Sequence, residues 1–128
     1  ELPTHASTPQ HKMRHSDGLF LVYTRKTEKN TNVIRWRAPL YVARVDTEKR
    51  HLIRATERIV IPMSDDGISQ PDQVALMGNF HITNASARES WITVGDWLPR
   101  QEARGRMHLA RIQWSKPNQG WLLNKQEN

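Results

Sequence analysis

The sequence predicts an all-β protein made of two antiparallel meanders. After Pro39, Leu40 and Val42 alternate with Tyr41 and Ala43, and a two-residue period of this kind is typical of a β-strand. Similar runs, rich in β-branched and aromatic residues, recur along the chain and are separated by short polar connections. No segment has the period of an amphipathic helix. We therefore expect about six strands and no helix.

The first meander follows a turn at residues 15–18, where Asp17 can bond the local backbone and Gly18 permits its conformation. Its strands are expected at residues 19–25, 40–46 and 51–62. Pro39 suits the entrance of the middle strand because it has no N–H to donate to a neighbouring strand. The charged turn 47–50 is short, so the two strands that it joins are expected to pair antiparallel.

The second meander repeats this pattern after a loop at residues 63–73, which is rich in Ser, Asp and Pro. Its strands are expected at residues 74–83, 90–97 and 107–114. Residues 84–89 supply a turn, and the polar stretch 98–104 separates the last two strands. These elements divide the chain into an extended N-terminal arm over residues 1–14, a β domain over residues 15–117 and a C-terminal tail over residues 118–128.

Length and composition limit the chain to one domain or a piece of a larger one. It has 128 residues, a formal net charge of +6 and no cysteine, so disulfides and thiol chemistry are excluded. No run is apolar enough for a membrane-spanning helix, and residues 1–10 lack the features of an export signal. The positive charge favours an anionic partner, but the basic residues are scattered, whereas nucleic-acid patches are usually blocks. Nucleic acid is therefore the least favoured partner.

Arg35 and Arg37 are candidates for substrate binding because they lie where a loop enters a strand. Loops on a rigid frame often carry binding residues, and the guanidinium fork matches carboxylates and phosphates. The alternative is that both are solvated residues at the rim of a basic domain. Asn79, His81 and Asp96 are further candidates for lining a substrate pocket.

Tyr23, Glu57 and Glu89 are candidate catalytic residues for a tyrosine nucleophile of the kind that the family resemblance described below implies. A tyrosine nucleophile needs a nearby carboxylate to take its proton, and Glu57 and Glu89 are the two partners considered. The alternatives are a packed tyrosine and solvated glutamates. The six histidines have no metal-binding spacing such as His-Glu-x-x-His, so neither a metal site nor a cofactor is predicted.

An ordered series of motifs resembles the C-terminal part of the sialidase-like, BNR-repeat proteins of bacteria, over roughly residues 15–117. The series is Asp17-Gly18-Leu19-Phe20-Leu21-Val22-Tyr23-Thr24-Arg25, Arg35-Trp36-Arg37-Ala38-Pro39-Leu40, Ala43-Arg44-Val45-Asp46, Arg54-Ala55-Thr56-Glu57-Arg58, Gly78-Asn79-Phe80, Glu89-Ser90-Trp91 and Ala110-Arg111-Ile112-Gln113-Trp114. Each motif is short, and their order carries the resemblance.

The resemblance implies a six-bladed β-propeller of four-stranded blades, of which this chain would supply about two. It implies an exo-sialidase-like glycoside hydrolase that acts on acidic sugars in the complete ring and is inactive as an isolated fragment. Sialidases hold the sugar carboxylate with arginines and use a tyrosine nucleophile assisted by a glutamate. Arg37-Ala38-Pro39 resembles the phrase carrying one of those arginines, although Ala38 stands where that phrase has isoleucine and a complete Asp-box is missing.

The resemblance also implies partners and a location. The expected partners are an acidic glycan and the missing blades, supplied by a longer polypeptide or by self-association, with no membrane partner. A secreted or periplasmic location follows from the family. The alternative function is a non-enzymatic β-module that binds carbohydrate or a partner protein.

Overall fold

The computed structural model describes residues 10–63, 66–69, 75–98 and 101–119, with the backbone alone for residues 101–104. It has two antiparallel sheets, each a simple meander. Sheet A has the strand order β1-β2-β3-β4, and its strands are Gln10–His15, Gly18–Tyr23, Leu40–Asp46 and His51–Ile61. Sheet B has the order β5-β6-β7, and its strands are Leu76–Ser86, Glu89–Leu98 and Gln101–Gln113. The all-β prediction is confirmed.

The differences from the predicted strands lie at sheet edges. β1, Gln10–His15, falls mostly within the predicted N-terminal arm, because only Met13 of this edge strand is buried and no apolar alternation marks it. β7 begins at Gln101, six positions before the predicted start at residue 107. Most of the predicted loop at 63–73, and residues 120–128 of the predicted tail, lie outside the described residues.

The main core lies between the two sheets. Alternate residues of the strands point into it, as the two-residue period requires, and they come from both sheets. The fully buried members include Met13, Val22 and Leu40 of sheet A and Phe80, Ile92 and Val94 of sheet B. We call the sheet surfaces that form this core the inner faces, and the opposite surfaces the outer faces.

The two outer faces differ in how well they are covered. On sheet A, Leu21, Tyr23, Tyr41, Ala43 and Leu52 form a second buried cluster. On sheet B, large apolar side chains are exposed on β6 and β7. They are Trp91, Trp97, Met107 and Leu109, of which Met107 is 78% exposed. The outer face of sheet B therefore presents apolar surface to solvent.

The two ends of the sheets have different connections. The short turns at residues 16–17, 47–50 and 87–88 lie at one end, which we call the hairpin end. The long connection of residues 24–39 lies at the other, the loop end, where the Met77 N–H donates to the Arg37 carbonyl at 2.6 Å. Long connections on a sheet frame are where binding side chains are usually mounted.

Asn118 joins the two sheets at the hairpin end. Its side-chain oxygen accepts a hydrogen bond from the Ser16 N–H at 3.2 Å, and its amide group donates to the Arg14 carbonyl at 3.1 Å. Its own N–H donates to the Ala87 carbonyl at 2.6 Å. Asn118 is buried, so these bonds replace those that water would make and fix the β1–β2 turn against the β5–β6 turn.

In the described part of the chain, no helix has the length and apolar character needed to cross a membrane.

Candidate functional site

Tyr23, Glu57 and Arg25 form a hydrogen-bonded cluster at the loop end, on the outer face of sheet A. The Tyr23 hydroxyl donates to Glu57 Oε2. Arg25 donates to both oxygens of the same carboxylate, from Nε at 3.0 Å and from Nη2 at 2.6 Å. Such bidentate, charge-assisted contacts fix both groups in place. We call Tyr23, Arg25, Tyr41 and Glu57 the tyrosine cluster, since the two tyrosine rings stack at 5.8 Å and Arg25 lies over the Tyr41 ring at 4.8 Å.

A bulge in β4 places Glu57 in this cluster. Between the pairs Val42–Arg58 and Arg44–Ile53, one residue of β3 faces the four residues 54–57 of β4. The Thr56 hydroxyl closes the bulge, accepting from the Arg44 N–H at 2.8 Å and donating to the Ile53 carbonyl at 2.6 Å. A bulge redirects side chains that regular pairing would place elsewhere, so Glu57 reaches Tyr23 across the middle strand.

The cluster holds its groups in opposite protonation states. Burial raises the pKa of the Tyr23 hydroxyl, and the hydrogen bond to the Glu57 carboxylate and its negative charge raise it further. Burial opposes ionisation of Glu57, but the hydrogen bonds from Arg25 and Tyr23 and the charge of Arg25 outweigh it, so the pKa of this carboxyl lies below its ordinary value. Tyr23 is thus a protonated donor and Glu57 an ionised acceptor at neutral pH.

A cavity of about 460 Å³ adjoins the tyrosine cluster. Its lining comprises Arg25, Thr27, Glu28, Lys29, Tyr41 and Ile59. Tyr23 does not line it, because the tyrosine is completely buried. Arg25 and Tyr41 therefore stand at the cavity wall, and Tyr23 holds them from behind through Glu57 and through ring stacking.

Asn30 organises the connection that carries the arginines. Its amide group donates to the carbonyls of Arg25 and Ala38 at 2.7 and 2.8 Å, and its oxygen accepts from the Thr27 N–H at 2.7 Å. The side chain is completely buried, so it acts as an internal brace that ties the two ends of the connection together.

Arg35 lies on the strained turn of this connection. The 3-10 turn Ile34–Trp36 has positive φ angles of 54° at Arg35 and 52° at Trp36. Non-glycine residues in this region cost on the order of 1–3 kcal/mol each. Lys26 lies over the Trp36 ring at 5.3 Å. Arg35 is exposed, away from the bonds of the tyrosine cluster.

Arg37 and Asp96 lie in a second group at the loop end, between the sheets. The Arg37 carbonyl accepts from Met77 N–H, and Met77 pairs with Asp96 across β5 and β6. The buried Asp96 carboxylate contacts His108 Nε2 at 2.7 Å and lies 4.0 Å from Arg106 Nε. Asp96 and Val94 lie on the inner face of sheet B. The exposed side chains of β6, Trp91 and Trp97, lie on the outer face, so the sheet separates them from Asp96.

The remaining predicted residues lie apart from both groups. Glu89 is at the hairpin end, where Arg111 donates to both of its oxygens, at 2.7 and 3.0 Å. It is therefore not the carboxylate that Tyr23 contacts. Asn79 is exposed within a bulge of β5, and His81 is exposed opposite Thr93. The structure brings together Tyr23 with Glu57 and, separately, places the Arg37 carbonyl against Met77, the strand partner of Asp96.

Three residues in and beside the tyrosine cluster were missed as site residues from the sequence. Arg25 follows Tyr23 at strand spacing, so a shared outer face for the two was readable from the two-residue period. Tyr41 alternates with Val42 and could be placed opposite Tyr23 once β2 and β3 were paired. Asn30 carried no signal beyond its place in a polar connection.

In the described part of the chain, no group of three His, Asp or Glu side chains is close enough together to hold a metal ion. Comparison of the chain with known proteins finds no matching family model, no matching curated protein and no matching solved structure.

Proposed function

We propose that the chain forms about two blades of a sialidase-like β-propeller that acts on acidic glycans. Support comes from two antiparallel meanders of four and three strands stacked face to face, and from the resemblance described above. The apolar outer face of sheet B would be covered by the next blade, since exposed apolar patches of this kind commonly mark interfaces.

The single observation that carries the functional proposal is the hydrogen bond from the Tyr23 hydroxyl to the Glu57 carboxylate. In a glycoside hydrolase with a tyrosine nucleophile, the carboxylate takes the phenolic proton as the tyrosine oxygen bonds to the anomeric carbon. The glycosidic bond breaks in the same step, and the departing oxygen takes a proton from a separate general acid, which the rest of the ring would supply. An ionised Glu57 is ready to accept that proton. Arg25 and Lys29 at the adjoining cavity supply positive charge for the acid group of the sugar.

Burial of Tyr23 favours a second function, a binding module without turnover. The hydroxyl is enclosed and its pKa is raised, so the tyrosine cluster of the isolated chain can present Arg25 and Tyr41 to a glycan without exposing a nucleophile. The two functions differ in whether completion of the ring opens a path to Tyr23.

The test is to measure binding and hydrolysis separately. Binding of a non-hydrolysable thiosialoside to the full chain is followed by calorimetry, and Lys29→Gln is expected to weaken it several-fold by removing a cavity charge. Hydrolysis of a fluorogenic sialoside is measured in the complete ring, formed with the rest of its polypeptide. Tyr23→Phe and Glu57→Gln are expected to lower kcat by at least about 100-fold.

Glu89→Gln is the matched control, because it makes the same change at the hairpin end and is expected to retain full turnover. Hydrolysis that survives Tyr23→Phe would exclude this tyrosine as nucleophile. Thiosialoside binding without hydrolysis in the complete ring would support the binding module. If neither binding nor hydrolysis is detected, both proposed functions are refuted.

A further inference from the structure

A second cavity, of about 330 Å³, lies at the hairpin end, away from the tyrosine cluster. Its volume is at the lower end of the range for small-ligand pockets, of the order of one sugar ring. It forms where the β1–β2 turn meets the segment that follows β7. Its lining includes His15, Asp17, Phe20, Arg44, Trp114 and Lys116.

The Trp114 ring forms an aromatic wall of this cavity and is held in place by neighbouring side chains. The Trp114 ring lies 4.6 Å from that of His15 and 5.3 Å from that of Phe20. Its indole N–H donates to the Ser90 hydroxyl at 2.9 Å. The indole is therefore oriented without a ligand, and its apolar ring can pack against the C–H groups of a sugar.

Arg44 supplies a positioned cation. Its Nη2 donates to the Asp17 carbonyl at 2.6 Å. The guanidinium lies against Gly18, where an added Cβ would come within 3.0 Å of Nη2, so a glycine at this position leaves room for it. Arginine has five N–H donors, and within the described part of the chain the Asp17 bond is the one that this guanidinium makes.

The polar groups around Arg44 give the cavity a net positive character. Lys116 adds a second cation, and its carbonyl is bonded to His15 Nε2 at 2.8 Å. Among the described residues neither Arg44 nor Lys116 forms an ion pair. Asp17 provides one carboxylate, which can accept hydrogen bonds from hydroxyl groups. Two cations, one acceptor and an aromatic surface suit a ligand with an acid group, hydroxyls and an apolar face.

We propose that this cavity binds a monosaccharide that carries one carboxylate, held by Arg44 and Lys116, with Trp114 against the sugar ring. The ligand class follows from this cavity's own lining and does not depend on hydrolysis at Tyr23. With this site, the protein would bind a second acidic sugar unit of a glycan at the hairpin end, opposite the tyrosine cluster.

The test uses the full chain and glucuronate, with glucose and acetate as probes for the sugar ring and the acid group alone. Calorimetry measures affinity, and the indole N–H signal of Trp114 in a nitrogen–proton NMR spectrum locates the site. Glucuronate is expected to shift this signal and to bind more tightly than either probe. Arg44→Gln, at an exposed position, is expected to weaken glucuronate binding at least about tenfold.

Lys49→Gln is the control, because it removes an exposed positive charge at the same end without touching the cavity, and it should leave the affinity unchanged. Equal affinities of Arg44→Gln and the parent would overturn the proposal, as would acetate binding as tightly as glucuronate. Tyr23→Phe should not alter glucuronate binding here, so failure of this site and failure of the hydrolytic proposal are separate results.

Discussion

At the residue scale, the tyrosines of the chain share one environment. The chain contains two tyrosines, and both belong to the tyrosine cluster, where they are buried. Burial raises the pKa of each hydroxyl, and the Glu57 carboxylate raises that of Tyr23 further. For Tyr41, the positive charge of Arg25 opposes the effect of burial without cancelling it.

This arrangement predicts the alkaline behaviour of the protein. An unfolded tyrosine ionises near pH 10, whereas in the folded chain the pKa of both hydroxyls lies above that value. Above about pH 10 the unfolded state therefore holds fewer protons than the folded state, and the free energy of unfolding is expected to fall as the pH rises. A spectrophotometric titration should show tyrosinate forming at a higher pH in the folded chain than in denaturant, where both tyrosines ionise near pH 10.

Tyr23→Phe isolates Tyr41 in the same titration and should reduce the fall in stability with pH. A folded chain in which one tyrosine ionises reversibly near pH 10 would contradict the buried arrangement of the tyrosine cluster.

The carboxylate partner of Tyr23 could be predicted only in part from the sequence. The need of a tyrosine nucleophile for a carboxylate singled out Glu57 and Glu89, and the structure pairs Tyr23 with Glu57. Sequence spacing could not choose between them, because the choice depends on the bulge at residues 54–57. Those residues read as part of a regular strand, since a bulge depends on pairing with β3 and leaves no local pattern.

At the element scale, the strands with a clear two-residue period of apolar residues were the best predicted. β3 and β6 show this period and were placed within one residue of their observed bounds, Leu40–Asp46 and Glu89–Leu98. β1 was missed because Met13 is its single buried side chain. Edge strands depend on hydrogen bonds to a neighbour more than on apolar burial, and sequence alternation records burial.

The connection at residues 24–39 depends on Asn30, and its removal gives a prediction at this scale. Asn30→Ala would leave the carbonyls of Arg25 and Ala38 without their donor and the Thr27 N–H without its acceptor. Because the site is buried, we expect a loss of about 2–4 kcal/mol in the free energy of unfolding, measured by urea denaturation.

Asn32→Ala is the matched control in the same connection. Asn32 makes one exposed side-chain hydrogen bond, to the Ile68 carbonyl at 2.8 Å, so its loss should cost less than about 1 kcal/mol. Equal losses for the two variants would mean that Asn30 does not brace the connection.

At the scale of the whole molecule, the exposed outer face of sheet B predicts association. If the chain is part of a ring, this face packs against a neighbouring blade, and at high concentration a second copy can cover it. Sedimentation velocity of the full chain should then show concentration-dependent self-association. Met107→Lys combined with Leu109→Lys is expected to abolish it, because two charges in a closed apolar interface are costly to desolvate.

Ile68→Lys is the control for this experiment, since Ile68 is 55% exposed but lies in a loop away from the outer face. It should associate as the parent does. A monomeric parent at all concentrations, or association unaffected by the double substitution, would argue against this face as an interface.

The bonds of Asn118 also bear on when the molecule can form during synthesis. The bonds to Ser16 and Arg14 join positions 102 and 104 residues apart in the chain, whereas each meander is stabilised by neighbouring strands. Since a polypeptide emerges from its N-terminus, sheet A can pair its strands well before residues 114–119 leave the ribosome. Its inner face, with Val22 and Leu40, must then wait for sheet B to cover it. Because Phe80, Ile92 and Val94 follow Val22 and Leu40 in the sequence, we expect the core between the sheets to close only after sheet B has been synthesised.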